Sequence, residues 1–239
     1  VARHIHHADA LDWLAAHPAH PGASLVTSLP DVAELGRSED HWRGVFTAAA
    51  RLCLEAVPPA GIAVFVQTDN KQTAGWTSKA RLVMGAAEDL GVPLLWHKLV
   101  LRRPAGALVR GRPGYSHLLA FSREARVPRE RGGTDVLSEP GHRPWTHSIG
   151  TRPARFAVET ILAHSPETTV LLNPFCGEGT VVAVAEALGL DCIGIERNRK
   201  RARRAGVLRY LVAEDRCVGG ERPAVSPRRE GSGSGGAAR

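Results

Sequence analysis

Apolar and polar positions change period several times along this chain. Residues 8–17 carry apolar side chains at helical spacing, and Pro18 and Pro21 stop that helix. Residues 23–27, Ala-Ser-Leu-Val-Thr, form a short apolar run that reads as a buried strand and runs out into Ser28-Leu29-Pro30-Asp31. A long helix is predicted over 40–57, ended by Pro58 and Pro59. Residues 61–68 are strongly β-prone. A helix over 78–90 closes at Gly91, where a helix end favours a residue without a Cβ. Strands follow over 92–101 and 115–122, separated by a loop at 105–113 that holds Gly106, Gly111, Pro113 and two arginines.

The second half continues the alternation. Residues 123–144 are polar and rich in Arg, Gly and Pro, so they read as a surface linker. A helix over 152–164 leads to a strand over 169–172, a glycine turn at 173–179 and a helix over 180–188 with Gly189 behind it. A strand over 192–195 ends at Glu196, and a basic helix is expected over 199–210. The tail, 218–239, is basic and then Gly/Ser-rich, a composition that stays disordered. Alternating strands and helices predict one α/β domain over 1–217, with a mostly parallel sheet and helices on both faces. Ligands of such sheets sit beyond the C-terminal strand ends, where the strand order reverses.

Composition narrows the class. The 239 residues are 43% hydrophobic and 23% charged, the usual balance of a water-soluble protein. No run approaches the ~20 apolar residues of a membrane span, and no apolar signal region opens the chain. Lys and Arg number 31 against 24 acidic residues, a net +7 that would attract phosphate backbones. Much of that charge lies in 197–209 and in the tail, where a solvated helix face explains it equally well. Cys53, Cys176, Cys192 and Cys217 have no paired metal or redox spacing. His4, His6 and His7 cluster without a matching ligand set, so no metal is expected, and the segment reads as disordered or tag-like. Unpaired thiols without a signal suit the cytoplasm.

The turn Asn173-Pro174-Phe175-Cys176-Gly177-Glu178-Gly179-Thr180 lies between a strand and a helix. Its glycines let backbone approach a ligand, and the helix start behind them offers free N–H groups. Glu196, at the next strand end, can accept hydrogen bonds from ribose hydroxyls. The octet closely resembles the S-adenosylmethionine (SAM) motif of the DNA and RNA amino-methyltransferases, Asp-Pro-Phe-x-Gly-x-Gly-Thr, with Asn173 replacing the Asp.

The element order resembles the permuted, beta-class-like members of that family, which place the catalytic loop first and the SAM motif near the C-terminus. The resemblance covers nearly the whole chain and implies a circularly permuted, Rossmann-like SAM-dependent methyltransferase fold. His7-Ala8-Asp9-Ala10-Leu11 is similar to the family piece whose Asp meets the adenine amine, although Asp9 would also suit a helix start. Trp96-His97-Lys98 and 115–121 resemble later strands, and 145–161 the helix covering the methionine end. The implied cofactor set is Asp9, Ala10, Ser28, Ser148, the octet from Asn173 to Thr180, Glu196 and Arg197.

The family's catalytic loop reads Asp/Asn/Ser-Pro-Pro-aromatic. Its polar side chain and a backbone carbonyl accept hydrogen bonds from the target amine, and the aromatic stacks on the base. The corresponding residues are Ser28, Leu29, Pro30 and Asp31, so Leu29 replaces a proline and Asp31 the aromatic. Asp31 could bond a base amine or simply cap the following turn. Gln67, Thr68, Asp69, Asn70 and Lys71 leave another strand end towards a substrate pocket. Trp76, Lys79, Lys98, Arg102, Arg103, Arg110 and Arg112 could line a nucleic-acid path, with Trp76 stacking on a base, or be surface charge around a core Trp.

The resemblance implies methyl transfer from SAM to a base amine in nucleic acid. RNA is favoured slightly over DNA, because the stretch between Thr68 and Tyr115 leaves little room for a DNA-reading insertion. A small-molecule or protein methyltransferase, and a non-catalytic SAM- or RNA-binding protein, stay open as alternatives.

Overall fold

In a computed structural model, which describes residues 1–31, 38–72 and 75–219, the chain opens with a strand that its apolar pattern does not reveal. Arg3–His6 forms β1, with half-buried and exposed residues alternating. The helix α1, Ala10–Ala16, is capped by Asp9, whose carboxylate accepts from the Leu11 N–H at 2.8 Å. Then come β2, Ala23–Thr27, and α2, Glu39–Glu55. Ser38 caps α2, and Glu39 and Asp40 complement the positive end of its dipole. β3, Ala63–Gln67, leads into a small hairpin of β4, Asn70–Gln72, and β5, Gly75–Thr77. Ser78 caps α3, Lys79–Asp89, which closes at Gly91 in the left-handed region.

The remaining elements follow the alternation closely. They are β6, Leu94–Leu101; β7, Tyr115–Phe121; the short β8, Val136–Leu137; α4, Thr151–His164; and β9, Val170–Asn173. The chain goes on through α5, Thr180–Ala187, β10, Asp191–Ile195, α6, Arg199–Ala205, and a terminal hairpin of β11, Arg209–Leu211, and β12, Arg216–Val218.

The main sheet has the order β1-β10-β9-β2-β3-β7-β6-β8. Only β7 runs antiparallel to its neighbours. At the centre β9 lies beside β2. From β9 the chain steps outward to β10, and from β2 it steps the other way to β3. The strand order therefore reverses between β9 and β2, where a parallel sheet leaves a crevice at its C-terminal edge.

Strand alternation divides the core in two. Leu25, Ala63, Phe65, Leu119 and Phe121 point to one face and pack against Leu14 of α1, Phe46 and Ala50 of α2, and Val83 of α3. Val26, Val64, Ala120 and Leu171 point to the other, against Ala157 and Ile161 of α4 and Val182 of α5. Each buried Leu, Ile or Phe stabilises the fold by about 1.5–3 kcal/mol, so both helical layers are firmly held. Among the described residues no helix is long and apolar enough to cross a membrane.

Three expectations change. The His-rich start is ordered: β1 pairs with β10, and Arg3 donates to the carbonyls of Ala205 and Leu208 and pairs with Glu186. Its fixation comes from backbone ladders and an ion pair, so no apolar run announces it. Residues 123–144 act as a strap instead of a free linker. Val136 and Leu137 extend the sheet beside β6, and the carbonyls of Pro140 and His142 receive N–H groups from the start of α4. The basic helix stops at Gly206, short of 210, because Tyr210 is buried in the β11–β12 hairpin and donates to Asp215 at 2.8 Å. Most of the tail, residues 220–239, lies outside the described residues.

Candidate active site

The C-terminal ends of β9, β2 and β3 open into one cavity of about 210 Å³. Asn173, Pro174, Phe175, Cys176, Gly177 and Thr180 line one wall, with Glu196 and Arg197 from the end of β10. Asp9, Ala10 and Leu11 close it from α1. Ser28, Leu29, Pro30 and Asp31 line the opposite wall with Gln67 and Thr68. The structure thus brings two distant stretches of chain together at the switch point.

On the first wall the glycine turn is shaped by contact. Gly177 has φ +56°, and a Cβ there would lie 2.5 Å from the Trp145 ring. Gly179 has φ +91°, and its Cβ would lie 2.7 Å from the Ala205 Cα. Side chains other than glycine are strained by conformation and by space at both positions. Glu196 is buried, and its carboxylate accepts from the Gly177 N–H at 3.1 Å and the Asn198 N–H at 2.7 Å. A carboxylate has about four acceptor sites, so two remain for a ligand. Ser148 shares a buried hydrogen bond of 2.9 Å with Thr180, which fixes the strap over the start of α5. Asn173 is buried, and its Oδ1 has no hydrogen-bond partner among the described residues.

Two members of the octet face elsewhere. Glu178 pairs with Arg204 of α6, and Gly179 packs on Ala205, so neither lines the cavity. The thiol of Cys176 is pushed up to about 12, chiefly by burial and then by the Glu196 charge, so it is no nucleophile.

The second wall is held by side chains. Ser28 is half-buried and its hydroxyl has no partner among the described residues. Leu29 lines the cavity, and its buried side chain belongs to the core. The Pro30 carbonyl accepts from the Trp42 indole at 3.2 Å. Asp31 is buried and pairs with Lys79 at 3.3 Å and with Arg112, and it accepts from the Asn70 amide at 2.8 Å. It is therefore the hub of an ion-pair network, not a free acceptor for a base amine. Thr68 bonds Ser116 at 2.6 Å, and Arg102 reaches the same hydroxyl at 3.5 Å. Burial, and then the charges of Arg143, Arg112 and Arg103, push the Arg102 guanidinium down to about 10.

Asp69, Trp76 and Lys98, all expected toward the substrate, lie outside the cavity lining. Asp69 is buried, accepts from the Lys79 N–H at 2.8 Å, the Trp76 indole at 3.0 Å and His117 at 3.2 Å, and so anchors α3 and the β4–β5 hairpin. Burial raises its carboxyl, but the bonds from His117 and Trp76 outweigh that and hold it at about 2. Trp76 is half-exposed on β5, so of its two readings the core Trp does not hold. Lys98 is buried beneath the strap, where it pairs with Asp135 at 3.0 Å and lies over the rings of Trp96 and Phe156. Of the residues expected toward the substrate, Gln67, Thr68, Lys79, Arg102 and Arg112 line the cavity.

Sequence reasoning did not single out Arg201, which lies over the Trp145 ring at 5.0 Å, or Trp145 itself as the lid on Gly177. No local pattern marks them, because each acts through a neighbour far away in the chain.

A family model described as DNA methylase matches residues 42–206. The chain belongs to the DNA methylase family. The type II methyltransferase M.HinfI of Haemophilus influenzae is 47% identical over 69 residues, 29% of this chain but only 18% of that protein's length. In fold, the chain is similar to PvuII DNA methyltransferase (cytosine-N4-specific), with TM-score 0.68 and 15% identity over 86% of each chain. It is also similar to a DNA modification methylase of Thermus thermophilus complexed with S-adenosyl-L-methionine, with TM-score 0.64, 21% identity, and 86% and 93% of the two chains covered. These likenesses agree with the Rossmann-like α/β architecture, and the cofactor that the sequence implies is SAM. The residues present fit that cofactor. Asn173 lines the cavity and its buried Oδ1 has no partner among the described residues, and the Glu196 carboxylate keeps acceptor sites beyond the Gly177 and Asn198 N–H groups.

Proposed function

We propose that this chain transfers a methyl group from SAM to an exocyclic amine of a base in DNA. One observation carries the reading: the glycine turn after β9 and the Ser28 loop after β2 open into a single cavity at the switch point. The family and the names of its relatives favour DNA over the RNA that the short 68–115 stretch suggested.

SAM supplies an electrophilic methyl group on a sulfonium. Glu196 holds ribose hydroxyls through its two remaining acceptor sites, and Asn173 Oδ1 accepts from the ammonium of the methionine portion. Asp9 stands at the adenine end. The Ser28 hydroxyl and the Leu29 carbonyl accept hydrogen bonds from the target amine and aim its lone pair along the line of attack. Positioning of this kind is the main requirement of a displacement between two bound groups. Bound SAM would supply the methyl group to the amine nitrogen that the Ser28 loop holds in line, and that nitrogen would pass its proton to water. A base must leave its stack to enter a cavity of this depth.

Calorimetric titration with SAM and S-adenosylhomocysteine tests the cofactor half. Glu196→Ala is expected to weaken binding about 10- to 100-fold, the worth of hydrogen bonds to a charged group; unchanged affinity removes the ribose assignment. Labelled-methyl incorporation into unmethylated DNA, with total RNA alongside, tests the transfer half. Ser28→Ala is expected to lower kcat about 10-fold or more with SAM affinity unchanged, and full activity removes Ser28 from the reaction. SAM binding without transfer to any acceptor returns the chain to a non-catalytic role, and transfer to RNA alone overturns the choice of DNA.

A further inference from the structure

The loop that follows β6 carries a charge arrangement that the methyl-transfer geometry does not use. β6 runs parallel to β8 and opposite to β7, so Arg102 and Arg103 leave the sheet at the same edge as Ser28, Thr68 and Asn173. Their N–H groups both donate to the Gly114 carbonyl, at 2.7 and 3.1 Å, which fixes the base of the loop. The Arg102 side chain lines the cavity, and its one hydrogen bond among the described residues is the long contact to Ser116. Arg143, from the strap, donates to the carbonyls of Ser148 and Thr146. None of Arg102, Arg103 and Arg143 has a carboxylate within ion-pair distance among the described residues, whereas Arg112 has Asp31.

Guanidinium groups that are partly buried and face one another repel, and they gain most from an anion that two of them can grip in the fork geometry. Burial first, and then the charges of the neighbouring arginines, lower the basicity of Arg102 and Arg143. The sheet order says on which side of the site the anion lies. β6 is four strands from β9, roughly 19 Å at the usual strand spacing, but only three from β2. Arg102 and Arg103 therefore stand on the acceptor side, beyond the Ser28 loop, and away from the glycine turn.

We infer that Arg102, Arg103 and Arg143 form a binding site for a backbone phosphodiester of the DNA strand, next to the nucleotide whose base enters the cavity. Arg102 is the deep anchor, Arg103 the outer contact, and Arg143 ties the bound phosphate to the strap that covers the glycine turn. The inference rests on the DNA reading above and gives it a register: the strand is held at the β6 end of the cavity.

The test is binding, not turnover. Fluorescence anisotropy of a short labelled DNA duplex is followed against salt with S-adenosylhomocysteine present, for the unaltered chain, Arg102→Gln and Arg103→Gln. Each variant is expected to weaken binding about 10-fold and to flatten the logarithmic salt slope by part of the roughly 0.9 that one phosphate contact is worth. Arg102→Lys keeps the charge and is expected to restore most of the slope. SAM affinity, measured by calorimetry, is expected to stay unchanged in all three. An unaltered slope in both Gln variants overturns the inference while leaving the DNA reading intact. Weakened SAM binding with an unaltered slope overturns it too, because the arginines would then serve the cofactor carboxylate. Arg103 is exposed, so its variant answers the question even if Arg102→Gln fails to fold. No DNA binding by the unaltered chain sinks the DNA reading itself, and the phosphate site with it.

Discussion

The two walls of the cavity are built on opposite principles. The wall after β9 is made of backbone: left-handed glycines, N–H groups turned onto Glu196, and a ring packed where a side chain would be. The wall after β2 is made of side chains gathered from afar. Asp31 meets Asn70, Lys79 and Arg112, and Thr68 meets Ser116, which Arg102 also reaches. A backbone-built site tolerates few residues at each position, so it is narrow in sequence. A side-chain network can be rebuilt from other partners, so its sequence is free to diverge. The departures at Leu29 and Asp31 fall on the second wall, where this reasoning places them.

The contrast can be broken most forcefully at Asp31. Asp31→Ala removes the Asp31 carboxylate from the Lys79 ammonium, whose side chain is only 4% exposed. Removing one partner of a buried ion pair costs about 3–5 kcal/mol, and a loss near the lower end is expected in urea unfolding. A loss below about 1 kcal/mol, the worth of a surface pair, would mean that the network does not hold the wall. Next in size is Gly177→Ala. A left-handed non-glycine residue costs about 1–2 kcal/mol, and the new Cβ also meets the Trp145 ring. SAM affinity is expected to fall about 10- to 30-fold, the equivalent of about 2 kcal/mol, with the salt slope of DNA binding unchanged. Equal loss of both ligands would show that the walls are not independent.

The smallest effect is acid dependence at Asp69. Its folded carboxyl titrates at about 2 against an ordinary 3.8, so its contribution to stability is complete above about pH 4 and is lost as pH falls through 2. Asp69→Asn removes that contribution. The variant is expected to be less stable at neutral pH by about 1 kcal/mol and to lose less melting temperature between pH 4 and pH 2 than the unaltered chain. Parallel melting curves against pH would take Asp69 out of the hairpin's support.

How much was legible follows the same division. The alternation of Leu25, Val26 and Phe65, Val64 between the two cores is written in the period of the strands, and Asp9, Ser38 and Ser78 stand where helix starts require an acceptor. The glycine turn at 173–179 and the strand end before Glu196 could be read because a turn between a strand and a helix is a local object. Lys98 and Asp69 were misplaced for the converse reason. Each is a polar residue at or near a strand, and only its partners, Asp135 for one and Trp76 and His117 for the other, tell a buried anchor from a ligand contact.

The sequence by itself determined the α/β alternation, the glycine turn after β9, and the order that sets the Ser28 loop ahead of it, since those depend on period, caps and glycines within a few residues. Tertiary structure alone decided that β1 is a strand, that Trp145 covers Gly177, and that Asp31 is neutralised by Lys79 and Arg112. Ladder bonds, ring packing and ion pairs between distant segments have no fixed spacing along the chain, because the distance that governs them is measured through space.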